Sequence, residues 1–209
     1  MEVQQCIQSR RTIRKYTSEP VGPDQIHLII EGGKYAPSAG NLQNWFFVVV
    51  NDEGKISALA DASVQQVWME NSSVLIVVAS DLQKAENFYG DRGVDVYSRQ
   101  NTAAAVQNML LVAHDIGLGA AWVGAFDEDM VSRTLGLPGH VRPEAIVVLG
   151  YPDEKVPIPP RFEFSSIVWF NSWGSRFIDK LLSLGKTSHL VKKYVGKTGK
   201  IIEDIIGKK

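Results

Sequence analysis

Ala36-Pro37-Ser38-Ala39-Gly40-Asn41-Leu42-Gln43-Asn44-Trp45-Phe46-Phe47-Val48-Val49-Val50 is the stretch that decides the fold. Pro37 and Gly40 punctuate its first half as a turn. Ser38, Asn41 and Gln43 load that turn with short hydrogen-bonding groups. Phe46 to Val50 is an unbroken aromatic and β-branched run, which predicts a strand buried on both faces. A polar loop on the end of a buried strand is a place where open sheets put ligands. The same residues also describe a plain surface loop entering a core strand.

Upstream, Pro20-Val21-Gly22-Pro23-Asp24 is a turn that caps a helix. Ile26, Leu28, Ile29, Ile30 and Tyr35 are expected on its inward face, and Gly32-Gly33 at its end. Val3–Ser9 predicts a further short helix. Downstream, Asn51–Gly54 turns the chain into a helix expected over Lys55–Met69. Val74–Ala79 is a second buried strand, and Asp81–Asp95 is a polar excursion or lid without period. Asn101–Ile116 predicts a long helix apolar nearly all round, so it must be covered on both sides, as core helix, subunit interface or both. Gly117 stops it. Ala120–Val123 is a short strand, with Gly124 allowing close approach to the backbone. Asp127 caps a helix to Leu135, Ala145–Leu149 is the last buried strand, and Tyr151–Pro160 is an extended connector. Gly117–Gly124 is not a dinucleotide fingerprint, because Trp122 stands where a third glycine is needed and a helix, not a strand, precedes it.

A chain of 209 residues suits one domain with a real core. Its net charge of -1 gives no global footprint for nucleic acid or an anionic membrane, so neither is expected as a partner. A single cysteine, Cys6, cannot close an internal disulfide. The start Met1-Glu-Val-Gln-Gln lacks a signal peptide's basic and apolar regions, and no apolar run reaches the ~20 residues of a membrane span. A cytoplasmic protein is expected. Charge is uneven, however: residues 176–209 carry nine Lys+Arg against three Asp+Glu, leaving 13 against 20 for the rest. Ser175 to Lys209 is therefore expected to be a distinct basic amphipathic extension, apart from a domain over residues 1–174, that packs on the protein itself, on the partner subunit of a dimer.

Arg10-Arg11-Thr12-Ile13-Arg14-Lys15-Tyr16 puts three arginines in five residues. They repel one another unless an anion lies nearby, and guanidinium forks suit phosphate. A solvated basic turn is the plainer alternative. The four histidines have no metal spacing, and neither a nucleophile elbow nor a Walker loop occurs.

The basic opening resembles that of the nitroreductase-like flavoprotein family. Ala36–Trp45 is similar to that family's Pro-Ser-x-x-Asn-x-Gln-Pro-Trp loop. The apolar helix, Gly117–Gly124, and Leu149-Gly-Tyr-Pro152 with Arg161 follow in the family's order, so the resemblance spans residues 5–174. Asn44 replaces the usual proline, which is expected to loosen the loop; Ala39 and Thr12 also depart from the pattern. The resemblance implies an α+β fold, a central mostly antiparallel sheet flanked by helices in three layers, and an intertwined homodimer. It implies FMN at the interface, touched by both chains. Arg10 and Arg161 would hold its phosphate within the cluster that includes Arg11. Thr12 would meet the ribityl chain or pyrimidine edge, with Arg14 beside that edge. Pro37, Ser38 and Asn41 would come from the partner. Gly124 and Ala125 would present backbone N–H groups to the hydride-accepting nitrogen, and Gln66 would be a ribityl contact. A fixed cation such as Arg14 would favour reduced flavin. No acid–base side chain is required. NADH or NADPH would pass hydride by ping-pong kinetics to a nitroaromatic, quinone or similar small acceptor. A specialised relative (flavin fragmentation, dehalogenation, azoline oxidation) and a non-catalytic flavin carrier or sensor are the alternatives.

Overall fold

The computed structural model describes residues 1–175. They fall into two units, one of residues 1–158 and a second that begins at Pro159. The basic extension expected beyond Ser175 lies outside the described residues.

The first unit is organised by four strands, β1 (Trp45–Val50), β2 (Val74–Asp81), β3 (Gly119–Val123) and β4 (Val141–Gly150), in one antiparallel sheet of order β1-β2-β4-β3. Its helices are α1 (Val3–Ser9), α2 (Pro23–Lys34), α3 (Glu53–Ala62), α4 (Leu82–Arg92), α5 (Ser98–Asp115) and α6 (Glu128–Leu135). Val74–Ala79 of β2 and Ala145–Leu149 of β4 have no polar alternation, as suits the central pair of the sheet with both faces covered. On one face Ile76, Val78, Val147 and Leu149 pack with Ile29 of α2 and Val106 and Met109 of α5. On the other, Leu75, Val77, Ile146 and Val148 pack with Leu59 of α3 and Val131 of α6. The three-layer α+β sandwich is the expected one. No helix among the described residues is long and apolar enough to cross a membrane.

Several expectations change. β1 is an edge strand, so Phe46 is 47% and Val49 41% exposed instead of buried on both faces. α2 runs through Gly32-Gly33 to Lys34. A Cβ on Gly32 would lie 2.6 Å from Val112, and one on Gly33 2.9 Å from Met109. These glycines let α2 press against α5 and do not end the helix. Leu28 and Tyr35 face outward. α5 is thus covered by the sheet on one side and by α2 on the other within a single chain, which bears out its role as core helix.

The helix expected over Lys55–Met69 stops at Ala62, because Val64 and Gln65 take left-handed φ of 59° and 54°. A 3₁₀ turn, Val67–Asn71, follows. The supposedly aperiodic Asp81–Asp95 is mostly α4, whose first turn is capped by Asp81 accepting the Lys84 N–H at 2.9 Å. Gly90 kinks it, and a π-turn, Gly93–Tyr97, leads into α5. In β4, Glu144 is the extra residue of a bulge between Pro143 and Ala145.

In the second unit, the described part contains α7 (Phe164–Ile167) and the stacked rings of Trp169 and Trp173, 4.1 Å apart.

Candidate functional site

The basic segment is fastened by its backbone to the outer side of β3. Thr12 forms a parallel bridge with Ala120, and the Ile13 N–H donates to the Ala120 carbonyl at 3.1 Å. Further on, Tyr16 bridges to Pro152, and Thr17 N–H reaches the Tyr151 carbonyl at 2.9 Å. Two glycines paired across β3 and β4, Gly119 and Gly150, make room: a Cβ on either would stand 2.8 Å from Ile13 or Tyr16. Ile13 and Tyr16 are therefore the inward residues, and the Tyr16 hydroxyl donates to the Ile13 carbonyl at 2.5 Å. Burial, then the nearby Glu154 carboxylate, pushes that phenol well above its ordinary pKa.

Glu154 accepts the backbone N–H groups of Arg14 and Lys15, at 2.6 and 3.1 Å. Arg14 is exposed, its guanidinium 5.7 Å from the centroid of the Trp68 ring, a cation–π arrangement. Arg11 donates through Nη1 to the carbonyls of Gln8 and Arg10, at 2.8 and 2.6 Å. Its Nε is buried with no hydrogen-bond partner among the described residues. Gln66 stands at the head of the 3₁₀ turn that carries Trp68. Gly124 and Ala125 are exposed just beyond β3, and their loop is tied to the end of α3 by Asp127 N–H on the Ala62 carbonyl, 2.8 Å. Arg10, Arg11, Thr12, Arg14, Gln66, Gly124 and Ala125 thus gather on the β3 side of the sheet.

Pro37, Ser38 and Asn41 do not join them. They precede β1, at the opposite edge of the sheet. Arg161 belongs to the second unit and is exposed there. The loop itself is tightly made. Gly40, Asn41 and Gln43 all take positive φ, Ser38 Oγ accepts the Gln43 N–H at 3.0 Å, and Gln43 Nε2 donates to Asn41 Oδ1 at 2.8 Å.

Asn44 corrects the expectation of a loosened loop. It is 1% exposed, accepts from Asn101 Nδ2 at 2.8 Å, and donates to Ser98 Oγ at 2.9 Å and the Asp81 carbonyl at 3.2 Å. A proline would have restricted the loop through φ; Asn44 restricts it through a buried network. Sequence reasoning missed Asn101, Ser98, Trp68 and Glu154. The one available signal was a polar asparagine at a core position of an apolar helix.

Two clefts, of about 470 Å³ beside Leu82, Asp95 and His140 and about 610 Å³ beside Thr17, Glu53 and Ser73, hold none of the expected cofactor residues. No cluster of His, Cys, Asp or Glu among the described residues could hold a metal ion.

The model of the Nitroreductase family matches residues 7–70 and 64–151. A Thermus thermophilus protein named NADH dehydrogenase is 32% identical over 173 residues, covering 70% of this chain and 84% of its own. The structure of an NADPH:FMN oxidoreductase from Vibrio harveyi, complexed with NAD+, superposes with a TM-score of 0.76 at 25% identity, over 99% of this chain and 92% of that one. A nitroreductase-like chain of Desulfovibrio desulfuricans, solved in complex with FMN, gives 0.74 at 31% identity, over 83% and 98%.

Proposed function

We propose that this chain, which belongs to the nitroreductase family, is an FMN-dependent NAD(P)H oxidoreductase that passes hydride through the flavin to a nitroaromatic, quinone or similar electron-poor small molecule. The observation that carries the reading is the buried Nε of Arg11, which has no hydrogen-bond partner among the described residues, within a triplet of arginines whose neighbouring carboxylate, Glu154, is engaged by backbone N–H groups. A buried donor without an acceptor is costly, and a dianionic phosphate would supply one. The residues on the β3 side therefore fit FMN.

When bound, FMN would supply the chemistry, accepting hydride from one nicotinamide and giving it to a second substrate. The chain's part is binding and electrostatics. Arg10 and Arg11 would neutralise the phosphate. Thr12, pinned against Ala120, would offer its hydroxyl to the ribityl chain or pyrimidine edge. Arg14, braced on Trp68, would hold a fixed positive charge beside that edge and raise the flavin's potential. Gly124 and Ala125 would offer backbone N–H groups, with no side chain on Gly124 to keep the ring at a distance.

Pro37, Ser38 and Asn41 stand at the far edge of the same sheet, so a second copy of the chain would bring them to this cofactor. The proposal therefore includes a homodimer with two composite sites. A visible spectrum of the purified protein, followed by anaerobic titration with NADH and NADPH, tests the activity. Yellow protein bleached by either nucleotide and recoloured by a quinone is the expected result. Colourless protein that takes up no added FMN would overturn it. Mixed dimers of Arg10→Ala and Asn41→Ala chains should regain one working site in two if the sites are composite.

A further inference from the structure

The loop that carries Pro37, Ser38 and Asn41 hangs on one hydrogen-bonded chain that can be wired in one direction only. The Ala39 N–H can only donate, and it donates to Asn101 Oδ1 at 2.9 Å. Asn101 must therefore turn its amide nitrogen to Asn44 Oδ1, 2.8 Å away. Asn44 is then committed to donate onward, to the Asp81 carbonyl and to Ser98 Oγ. Ser98 passes its own proton to the Gly93 carbonyl at 2.9 Å. The chain starts on one backbone donor and ends on two backbone acceptors, so neither asparagine can flip without leaving a buried group unmatched.

Both ends matter. Asp81 closes β2, and Gly93 opens the π-turn, which Arg142 clamps to the sheet through the Val94 carbonyl at 2.9 Å. Arg142 is in turn held by Glu144 at 2.7 Å, and Ser80 donates to the same carboxylate at 2.6 Å. The far end is thus anchored to the sheet. At the near end, Gly40 takes a φ of 54° directly beneath the Tyr89 hydroxyl, which a side chain there would strike. Asn101 is 3% and Ser98 0% exposed, so the bonds in the middle of the chain, Asn101 to Asn44, Asn44 to Ser98 and Ser98 to Gly93, are shielded from water. π-turns of this kind occur disproportionately at functional sites.

We propose that Asn101, acting through Asn44, is the positioning residue of the flavin-side loop: it ties the Ala39 backbone to the sheet and so presets Ser38 and Asn41 for the cofactor. It touches neither flavin nor substrate. The inference rests on the reading that the loop meets FMN, but its first test does not. In FMN-free protein, amide hydrogen exchange should show Ala39 protected among its loop neighbours. In Asn101→Ala, exchange across residues 38–43 should speed by about tenfold or more while β2 is unchanged. A fast Ala39 amide in the unaltered protein would overturn the inference even if no variant folds.

The second test separates positioning from plain stability. Asn101→Ala and Ser98→Ala should both lower the melting temperature, since each strands buried groups. Only Asn101→Ala breaks the link to Ala39. It should raise the FMN dissociation constant about tenfold and alter the visible circular dichroism of bound flavin, whereas Ser98→Ala should stay within about threefold. Equal FMN affinity in Asn101→Ala and unaltered protein would overturn the positioning role and leave the FMN reading standing. Unaltered protein that binds no FMN, with Ala39 still protected, would overturn the flavin reading and with it this loop's proposed purpose.

Discussion

The basic segment Arg10–Tyr16 and the loop Pro37–Asn44 are both irregular, polar and seated at edges of one sheet, yet they are held by opposite means. The first is secured by backbone contacts to Ala120, Tyr151 and Pro152 and by a carboxylate that grips backbone N–H groups. Its outer cations, Arg14 and Lys15, are exposed. The second is secured by side chains, chiefly one asparagine that is 1% exposed and hydrogen-bonded on both sides. Backbone fastening leaves side chains free to evolve toward a ligand. Side-chain fastening makes the loop hostage to a few buried positions. The two regions should therefore differ in how much a single substitution costs.

The largest effect is expected at Asn44. Asn44→Leu matches its size but strands the Asn101 amide donor in a buried setting and removes the bonds to Ser98 and the Asp81 carbonyl. The cost should be on the order of 2–3 kcal/mol, read from the midpoint of urea unfolding. Arg14→Ala removes an exposed cation from Trp68 and should cost less than about 1 kcal/mol. Equal losses would erase the distinction between the two regions.

Glu154 sharpens the same contrast, because its carboxylate holds the basic segment by accepting backbone N–H groups. Glu154→Ala should cost roughly 1 kcal/mol, the charge-assisted bonds being discounted for partial exposure. Tyr16→Phe should cost about the same through its lost bond to Ile13. Spectroscopic titration provides a second check on Tyr16. Tyr16 should ionise well above the ordinary tyrosine range, and that step should disappear from the titration in Tyr16→Phe. Because the folded state favours the neutral phenol, its contribution is complete below the ordinary tyrosine pKa of ~10 and fades as pH rises above it.

What was legible in the sequence follows this division. β2 and β4 could be read because the aliphatic runs Val74–Ala79 and Ala145–Leu149 do lie at the centre of the sheet, covered on both faces. β1 looked equally apolar, but strand order decides burial, and Phe46 gives no hint that its strand ends up at an edge. Gly32-Gly33 looked like a helix end because a glycine's local meaning is a stop; Met109 and Val112, far away in sequence, give it another. The arginine cluster of the basic segment was visible in the sequence, but its spacing left a solvated basic turn open beside a phosphate site, and only the resemblance chose between them. Asn44 was not, since its importance depends on Asn101, which lies 57 positions away. The division of the candidate site between two sheet edges was equally invisible to local pattern, although the resemblance implied it by assigning the loop to a partner chain.

The smallest expected effect lies where the basic segment meets α5. His114 sits near the end of that helix with its Nε2 2.7 Å from Ser9 Oγ. Burial, then the charges of Arg10 and Arg11, hold it below its ordinary pKa, against an opposing pull from Asp115. The folded chain therefore prefers neutral His114. Above the unfolded value of ~6.5 both states are neutral and the stabilisation is intact. As pH falls below that, the unfolded chain takes up the proton first, and stability declines until the lowered folded pKa is passed. Urea unfolding at pH 7.5 and 5.5 should show this slope, and His114→Gln should flatten it while Asn44→Leu leaves it in place. A phosphate held by Arg10 and Arg11 would offset their charge and ease protonation of His114. Added FMN should then shallow the slope in the unaltered protein and make no difference to it in His114→Gln. A slope unmoved by FMN would place the phosphate away from these two arginines.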